Sequence, residues 1–596
     1  MVKKSNKNTM LFEVCWEVCN KVGGIYTVLT SKASRIKDIF KDNYFLIGPY
    51  FLNKAKGEFQ EITPPEGLKI VFSSLLKEGI DCHYGKWVIG GEPNTILVDF
   101  NNHYPYINEI KGKLWEKYKI DSLGTQSDFN DPVLWSWCVG RLIEVIQNNH
   151  KENNIIVHCH EWLSGTALIY LDKNNTKVKK VFTTHATVLG RALSSNNYPL
   201  YDDLSSIDIN KEIYAMGVAA KHQVEKISAN ISDILTTVSE ITAMEVKYFL
   251  GRKPDQLLPN GLSLSKSLTF EDISLSHRLQ RDRMREFLLY YFFPYYSFDP
   301  KKSLFYFMSG RNEFHNKGID VFIDALAELN KLLVNNSKQD DKTIICFLWV
   351  PAGISGIRPD LREAREVFSD VEQTIEASRV TTESNLLYDI MAEKPLSIET
   401  LFEQDTLRRI KKQLLKLKKN SGLPPTSSHD FIDNNDPMLV YLKEKGLTNK
   451  KEDKVKVIIY PDYLTGSDGL LNLSYDECVQ GSHLGIFPSY YEPWGYTPLE
   501  TAALGVAAVT TDLAGFGRFI EPVITNKDNP GIFINRRYKK SYDESVKDLS
   551  NILYRYSQFS YDERVRNKIE ASNLSRLANW DNLIENYLSI YNRLTE

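Results

Sequence analysis

The chain has 596 residues, 42% of them hydrophobic and 25% charged, with a formal net charge of −3 at pH 7. That length leaves room for two to four domains, the composition is that of a globular protein, and the charge gives no reason to expect nucleic acid as a partner. Seven cysteines stand singly with no CxxC pair, which argues against a disulfide scaffold and against a zinc site.

The lysine-bearing start MVKKSNKNTMLFEV lacks the apolar core of a signal peptide. The longest nearly apolar stretch, Thr343 to Ile354, is too short to span a bilayer, so a cytoplasmic protein without membrane contact is expected. Thr9 to Glu13 reads as a first strand. It is followed by the pair Gly23-Gly24 and by a helix-like run from Tyr26 to Ala33. Two glycines at a strand-to-helix loop let backbone approach a ligand, although tight turns use the same pair. Short strands are expected at 44–48, 68–74, 86–91 and 95–100, and a long helix from Pro132 to Gln147. Asn154 to Cys159 is strand-like and ends in His160-Glu161-Trp162. Val181 to Thr184 is another strand, ending in His185 and followed by Gly190-Arg191. Parallel sheets place ligands at such strand ends. One buried histidine is usually structural, but two at equivalent ends favour a site. Ile234 to Val238 is a strand, Ser239 an N-cap and Thr242 to Leu250 a helix, after which 257–262 leads out of a first domain.

Residues 266–303 read as a connecting region, and Leu304 to Met308 opens a second α/β domain. Its first loop, Ser309 to Gly318, carries Arg311 and Lys317, paired cations that would neutralise a diphosphate. The bland alternative is two solvated charges. Phe322, Leu326, Leu329 and Leu333 repeat at helical spacing, and Ile344 to Val350 is a strand. Residues 358–420 look like an inserted helical pair suited to an oligomer interface. Their basic run alternates with apolar residues, as an amphipathic helix does. Val455 to Tyr460 is a strand and 472–475 a loop. The densest chemistry then lies between His483 and Arg518. There a strand (484–487), an aromatic loop (488–497), a helix entered at Pro498 and stopped at Gly505, a strand (506–511) and a glycine-bearing loop (514–517) make a βαβ unit. A helix N-terminus suits a phosphate. Glu492 at the loop tip and Glu500 on the first turn can accept hydrogen bonds from sugar hydroxyls; acids are also common at helix starts for no other reason. Two α/β halves predict a cleft between doubly wound domains.

These stretches resemble the glycogen synthases of the animal and fungal type, glycosyltransferase family 3. The resemblance is carried by FEVCWEVCNKVGGIYTVL, HCHEWLSGTAL, FTTHATVLGRAL, MSGRNEFHNKGIDVFIDAL and IFPSYYEPWGYTPLETAALGVAAVTTDLAGFGRFI, in family order, with YYEPWGYTP the sharpest part. It implies a GT-B fold: a Rossmann-like domain over 1–265, a nucleotide-sugar domain over 266–570 with the helical insertion 358–420, and a segment 571–596 that returns to the first domain. It implies retaining transfer of glucose from UDP-glucose to the non-reducing 4-hydroxyl of glycogen, with no metal or cofactor, by a homo-oligomer (a tetramer built through the insertion). Carried over by position, Arg311 and Lys317 stabilise the leaving diphosphate, Glu492 orients the glucose and His160 contacts it near the reacting carbon. Gly23, Gly24, Gly495, Tyr496 and Thr497 cradle the diphosphate, Glu500 holds the ribose, Tyr475 stacks on uracil and Arg191 lies near the donor. Lys21 and Trp494 belong to the same substrate-binding set.

The sequence departs from that family in the helix that senses glucose 6-phosphate. Asp562 to Leu577 keeps only Arg564, Arg566, Lys568 and Arg576. Glu570 and Asn573 stand where the family has arginines, and the chain ends at Glu596 without a serine-rich tail. A carboxylate repels a phosphate, so a weak or absent response to glucose 6-phosphate is expected. Three alternatives remain: another GT-B enzyme such as a phosphorylase, which needs a pyridoxal phosphate lysine; ADP-glucose as donor; and a glycan-binding scaffold with a dead site.

Overall fold

The computed structural model describes residues 9–150, 153–263, 270–336, 342–419 and 421–596. The first sheet contains Thr9–Val14 (β1), Tyr44–Pro49 (β2), Phe59–Glu61 (β3), Asp81–Trp87 (β4), Asn94–Asp99 (β5), Asn154–His160 (β6), Lys179–Thr184 (β7), Ile234–Thr237 (β8) and Gln256–Leu257 (β9). Their order is β3-β4-β5-β2-β1-β6-β7-β8-β9, parallel except where β4 runs against both neighbours. Further along come Ser303–Ser309 (β10), Thr343–Trp349 (β11), Ile354–Ile357 (β12), His429–Phe431 (β13), Val455–Ile459 (β14), Leu484–Ile486 (β15), Ala507–Thr511 (β16) and Ile532–Asn535 (β17). Six of these form a second, all-parallel sheet ordered β14-β11-β10-β15-β16-β17, while β12 and β13 pair as a separate antiparallel ribbon.

The central strands are mostly apolar because helices cover both faces, with Glu13 on β1 and His158 and His160 on β6 as buried exceptions. Every residue of β1, β10 and β11 is buried. Each sheet reverses its strand order near its middle, between β1 and β6 in the first and between β10 and β15 in the second. Ligands of open α/β sheets bind outside the carboxyl ends of strands at such switch points. Those ends carry the loop to Gly23, His160, the loop to Gly318 and the loop from Pro488 to Gly495.

Several elements differ from the sequence expectation. Residues 68–74 lie in a helix, Glu66–Leu76, with Leu68, Val71 and Leu75 buried; their spacing is helical although the residues are β-branched and aliphatic. The connecting region contains a 23-residue helix, Phe270–Phe292, which buries Met284, Phe287, Leu288 and Tyr291 against the second sheet. Residues 515–520 form a helix, and its glycines serve close packing. A Cβ on Gly515 would lie 2.2 Å from the Pro493 carbonyl oxygen, and one on Gly517 2.1 Å from that of Thr511. The insertion holds four helices, Pro359–Ala377, Arg379–Met391, Ile398–Leu401 and Gln404–Leu417. The last helix, Trp580–Thr595, packs on the first sheet's side of the molecule. Trp580, Tyr587 and Tyr591 join Val28, Leu29 and Tyr44 in one apolar cluster, and the Trp580 indole donates to Ser31 Oγ at 2.7 Å. Among the described residues no helix is long and apolar enough to cross a membrane.

Candidate active site

On the second domain, two strand-end loops are pressed together. Gly318 has φ +70°, and a Cβ there would lie 2.0 Å from the Pro488 carbonyl oxygen, so only glycine lets the loops meet. The contact brings Lys317 Nζ to 2.5 Å from Glu492 Oε2, with side-chain exposures of 15% and 22%. Ser489 Oγ donates to the same oxygen at 3.4 Å. Gly495, at φ +105°, then turns the chain into the helix Tyr496–Ala503, whose free N–H groups open next to the ion pair. Lys317, Glu492, Thr497 and Ser309 line one small cavity there. Tyr475 closes the neighbouring wall, its hydroxyl 2.9 Å from Ser309 Oγ and its ring edge-on to Trp349. Burial raises the Glu500 carboxyl pKa and Asp476 adds to it, while Lys21 of the first domain opposes both.

Two other expected second-domain groups are placed differently. Arg311 points to solvent with 67% side-chain exposure and pairs with Glu313 at 2.9 Å. Trp494 is buried against Phe516 and Phe519, so its ring builds the loop's scaffold. The Tyr496 hydroxyl donates across to the Gly261 carbonyl at 3.1 Å.

On the first domain, Lys21, Gly23 and Gly24 are exposed. Glu17 organises their loop by accepting the N–H groups of Gly23 at 2.9 Å and Tyr26 at 2.8 Å, which caps the helix Gly24–Phe40. His160 has no exposed surface. Its Nε2 meets Glu13 Oε1 at 2.7 Å and its Nδ1 meets His185 Nε2 at 3.0 Å. The ring therefore serves a buried network. Glu13 also binds the fully buried Lys32 and accepts from the Tyr44 hydroxyl at 2.6 Å. Burial opposes the charge on Glu13, but Lys32 and His160 outweigh it and hold the carboxyl well below its usual range. Burial likewise lowers His160. Glu13, His158 and His160 are spaced like metal ligands, yet each donor atom is already engaged, His158 by the Tyr591 hydroxyl and Thr183 Oγ1.

Around the loop 185–188 lie three buried carboxylates that the sequence reading missed. Glu161 accepts the N–H groups of His185 and Ala186, Glu225 accepts Thr184 Oγ1 and the Val188 N–H, and Glu245 accepts the hydroxyls of Thr187 and Tyr201. Burial pushes them up to about 7, about 8 and about 7 respectively. Arg191 stands exposed at this edge, within electrostatic reach of Tyr491, Glu161, Glu313 and Glu492. Capped loops and buried acids of this kind show no periodic pattern; Glu161 alone stands at a strand end, while Glu225 and Glu245 lie on helices, where nothing in the sequence sets them apart.

A separate basic cavity of about 1060 Å³ opens between the helices Phe270–Phe292 and Tyr561–Ser575. Arg278, Arg281 and Arg285 line it from the first helix, Arg564, Arg566 and Lys568 from the second, with His277 and His483 at its wall. Burial, with the neighbouring arginine Arg285, lowers Arg281 to about 10, and burial beside Lys568 lowers His277 to about 2. Glu570, read from the sequence as a carboxylate that would repel a phosphate, does not line this cavity, although Asp562 of the same helix does.

Two doubly wound domains that meet at their switch points define the GT-B class of glycosyltransferase folds. The catalytic domain of starch synthase IV from Arabidopsis thaliana, solved with ADP and acarbose, shares the fold. Its TM-score is 0.51 at 13% identity, covering 98% of this chain and 99% of that one. The sequence model of the glycogen synthase family matches residues 13–594. The chain is 34% identical to the glycogen [starch] synthase of Neurospora crassa over 98% of its own length and 83% of the relative's. It is 35% identical to isoform 1 of Saccharomyces cerevisiae over 96% and 84%, and 34% identical to the mouse liver protein over 96% and 81%. The chain belongs to the glycogen synthase family.

Proposed function

We propose that the protein elongates an α-1,4-glucan by retaining transfer of glucose from UDP-glucose to the 4-hydroxyl at its non-reducing end. The observation that carries this reading is the Lys317–Glu492 ion pair at the second switch point, beside an open helix N-terminus whose Tyr496 ring lies 3.9 Å from where a Cβ on Gly24 of the first domain's exposed loop would stand. When the bond from C1 to the β-phosphate oxygen breaks, charge builds on the diphosphate. Lys317 and the N–H groups of residues 495–497 are the fixed partners for that charge, and Arg311 joins them by leaving Glu313 and swinging in from solvent. Glu492 accepts from the sugar's hydroxyls. The acceptor 4-hydroxyl attacks C1 on the face the diphosphate leaves, and its proton passes to the departing phosphate oxygen. Tyr475 and Glu500 hold the nucleoside. His160 acts by shaping the floor of the first domain, its two nitrogens being engaged.

The test is transfer of labelled glucose to glycogen from UDP-glucose and from ADP-glucose, with and without EDTA. Rapid transfer from UDP-glucose unaffected by EDTA supports the reading; transfer only from ADP-glucose, or none, overturns it. The same assay with glucose 6-phosphate decides the effector response. An unchanged rate supports the weak control read from the sequence, and an increase overturns it. We further propose self-association through the insertion, where Val380, Leu387, Tyr388 and Met391 are 77%, 63%, 63% and 85% exposed. Light scattering of Leu387→Glu/Met391→Glu tests it: a smaller particle than wild type is expected, and an unchanged one refutes it.

A further inference from the structure

The loop that carries Glu492 belongs to the second domain, yet the residue before it is buried in the first. Tyr491 is 6% exposed and packs within the first domain's apolar core. Its hydroxyl donates to Glu245 Oε2 at 3.3 Å. Glu245 is fixed for this contact from its own side by Tyr201, which donates to Oε1 at 2.7 Å, and by Thr187, which donates to Oε2. Gly190 makes room for that carboxylate, since a Cβ there would lie 2.2 Å from Oε2. Two more links cross between the domains at the same loop. Ser239 Oγ donates to the Pro493 carbonyl at 2.7 Å, and Ser194 Oγ donates to Asn316 Oδ1 at 2.6 Å. Asn316 in turn accepts the Tyr490 N–H at 2.9 Å and directly precedes Lys317. The chain on both sides of Glu492 is thus tied to the first domain, by the Tyr491 side chain before it and the Pro493 carbonyl after it, while its carboxylate is tied to Lys317 of the second.

We propose that Glu245 and Tyr491 form an interdomain latch, with Glu245 a positioning residue that seats the Glu492 loop through the Tyr491 hydroxyl and so joins domain contact to donor-sugar alignment. The proposal rests on the reading of Glu492 as the group that orients the donor sugar. Packing alone does not require the hydroxyl; a phenylalanine would fill the same space. Without the hydroxyl Tyr491 would be an ordinary core side chain, and Glu245 would serve Thr187 and Tyr201 within the first domain alone.

The experiment compares wild type, Tyr491→Phe, Glu245→Ala and the double variant for glucose transfer, UDP affinity by calorimetry, thermal midpoint, and hydrogen exchange of the 489–495 amides. Tyr491→Phe is expected to exchange faster across 489–495 and to lose on the order of tenfold in kcat, the low end for a hydrogen bond to a carboxylate. UDP affinity is expected to stay within about twofold, because the nucleotide rests on the second domain. On the Glu245→Ala background, Tyr491→Phe is expected to add nothing, as two partners in one bond require. Wild-type exchange and kcat in Tyr491→Phe overturn the latch, as does a fall in kcat that only tracks a fall in thermal midpoint and UDP affinity. If Glu245→Ala does not fold, the exchange and kcat of Tyr491→Phe alone decide. If wild type transfers no glucose from UDP-glucose, the functional reading fails, and the exchange comparison still tests the latch.

Discussion

Replacing Lys317 by Met removes one charge and keeps most of the aliphatic stem, so its consequences for stability and for turnover can be separated. In the folded protein Lys317 and Glu492 are 15% and 22% exposed, between a surface pair and a buried one. Breaking a buried pair costs about 3–5 kcal/mol and a surface pair about 0–1, which places this loss at about 1–3 kcal/mol. Most of that cost is the carboxylate left behind, which keeps Ser489 at 3.4 Å as its hydrogen-bond donor among the described side chains and Arg191 within electrostatic reach. Lys317→Met/Glu492→Gln removes the stranded charge and is therefore expected to recover most of the lost stability in urea unfolding. Turnover behaves differently. A fixed cation aimed at developing phosphate charge is worth roughly 10²- to 10³-fold in kcat, and neutralising Glu492 cannot replace it. Initial rates of UDP release with UDP-glucose and glycogen should fall by that factor in Lys317→Met and no less in the double variant. A single variant within threefold of wild type refutes the assignment. A double variant that regains activity would show that Lys317 serves only to neutralise Glu492.

Gly318→Ala places a Cβ 2.0 Å from the Pro488 carbonyl at a positive φ. It is expected to cost about 2–4 kcal/mol in urea unfolding and to abolish transfer by parting the two loops; a variant of wild-type stability and rate would refute the close contact. Glu13→Gln leaves Lys32 buried without its counter-charge and is expected to lose about 3–5 kcal/mol; urea unfolding with an unchanged midpoint would count against the buried pair. The contribution of the buried acids to the pH dependence of stability has a definite sign. Glu161, Glu225 and Glu245 have folded values of about 7, 8 and 7, above the unfolded range, so the folded state holds more protons between about pH 5 and 8 and stability falls as pH rises through that window. Buried histidines such as His222, lowered to about 4, work the other way only below about pH 6.5. Buried lysines held below their usual range, Lys568 and Lys456, oppose this trend, so the contribution of one acid is read by difference: the unfolding free energy of wild type minus that of Glu225→Gln should decline from pH 6.5 to 8.0, and a flat difference would show that Glu225 is ionised in the fold.

What the sequence discloses about the site is set by where each group sits. Lys317 and Glu492 are 175 positions apart, yet each lies just past an apolar strand in a glycine-punctuated loop, and a parallel sheet brings adjacent strand ends together. Their proximity follows from chain-local signals. Residues 68–74 read as a strand for the converse reason: their composition favours a strand and only their burial spacing favours the helix they form, and a tertiary face decides between them. His160 stands at the expected strand end, but which way its ring turns depends on Glu13 and His185, contributed by strands 147 and 25 positions away. Lys32 shows the limit most clearly. In the sequence it is one lysine in an amphipathic helix; in the fold it is fully buried between the Glu13 carboxylate and the Tyr587 ring, which its ammonium approaches to 4.0 Å of the centroid. A buried cation pays its desolvation only where a carboxylate and an aromatic face are already in place. The last helix supplies that ring, so the arrangement under the first domain's switch point is complete only when the chain's end has returned to its beginning.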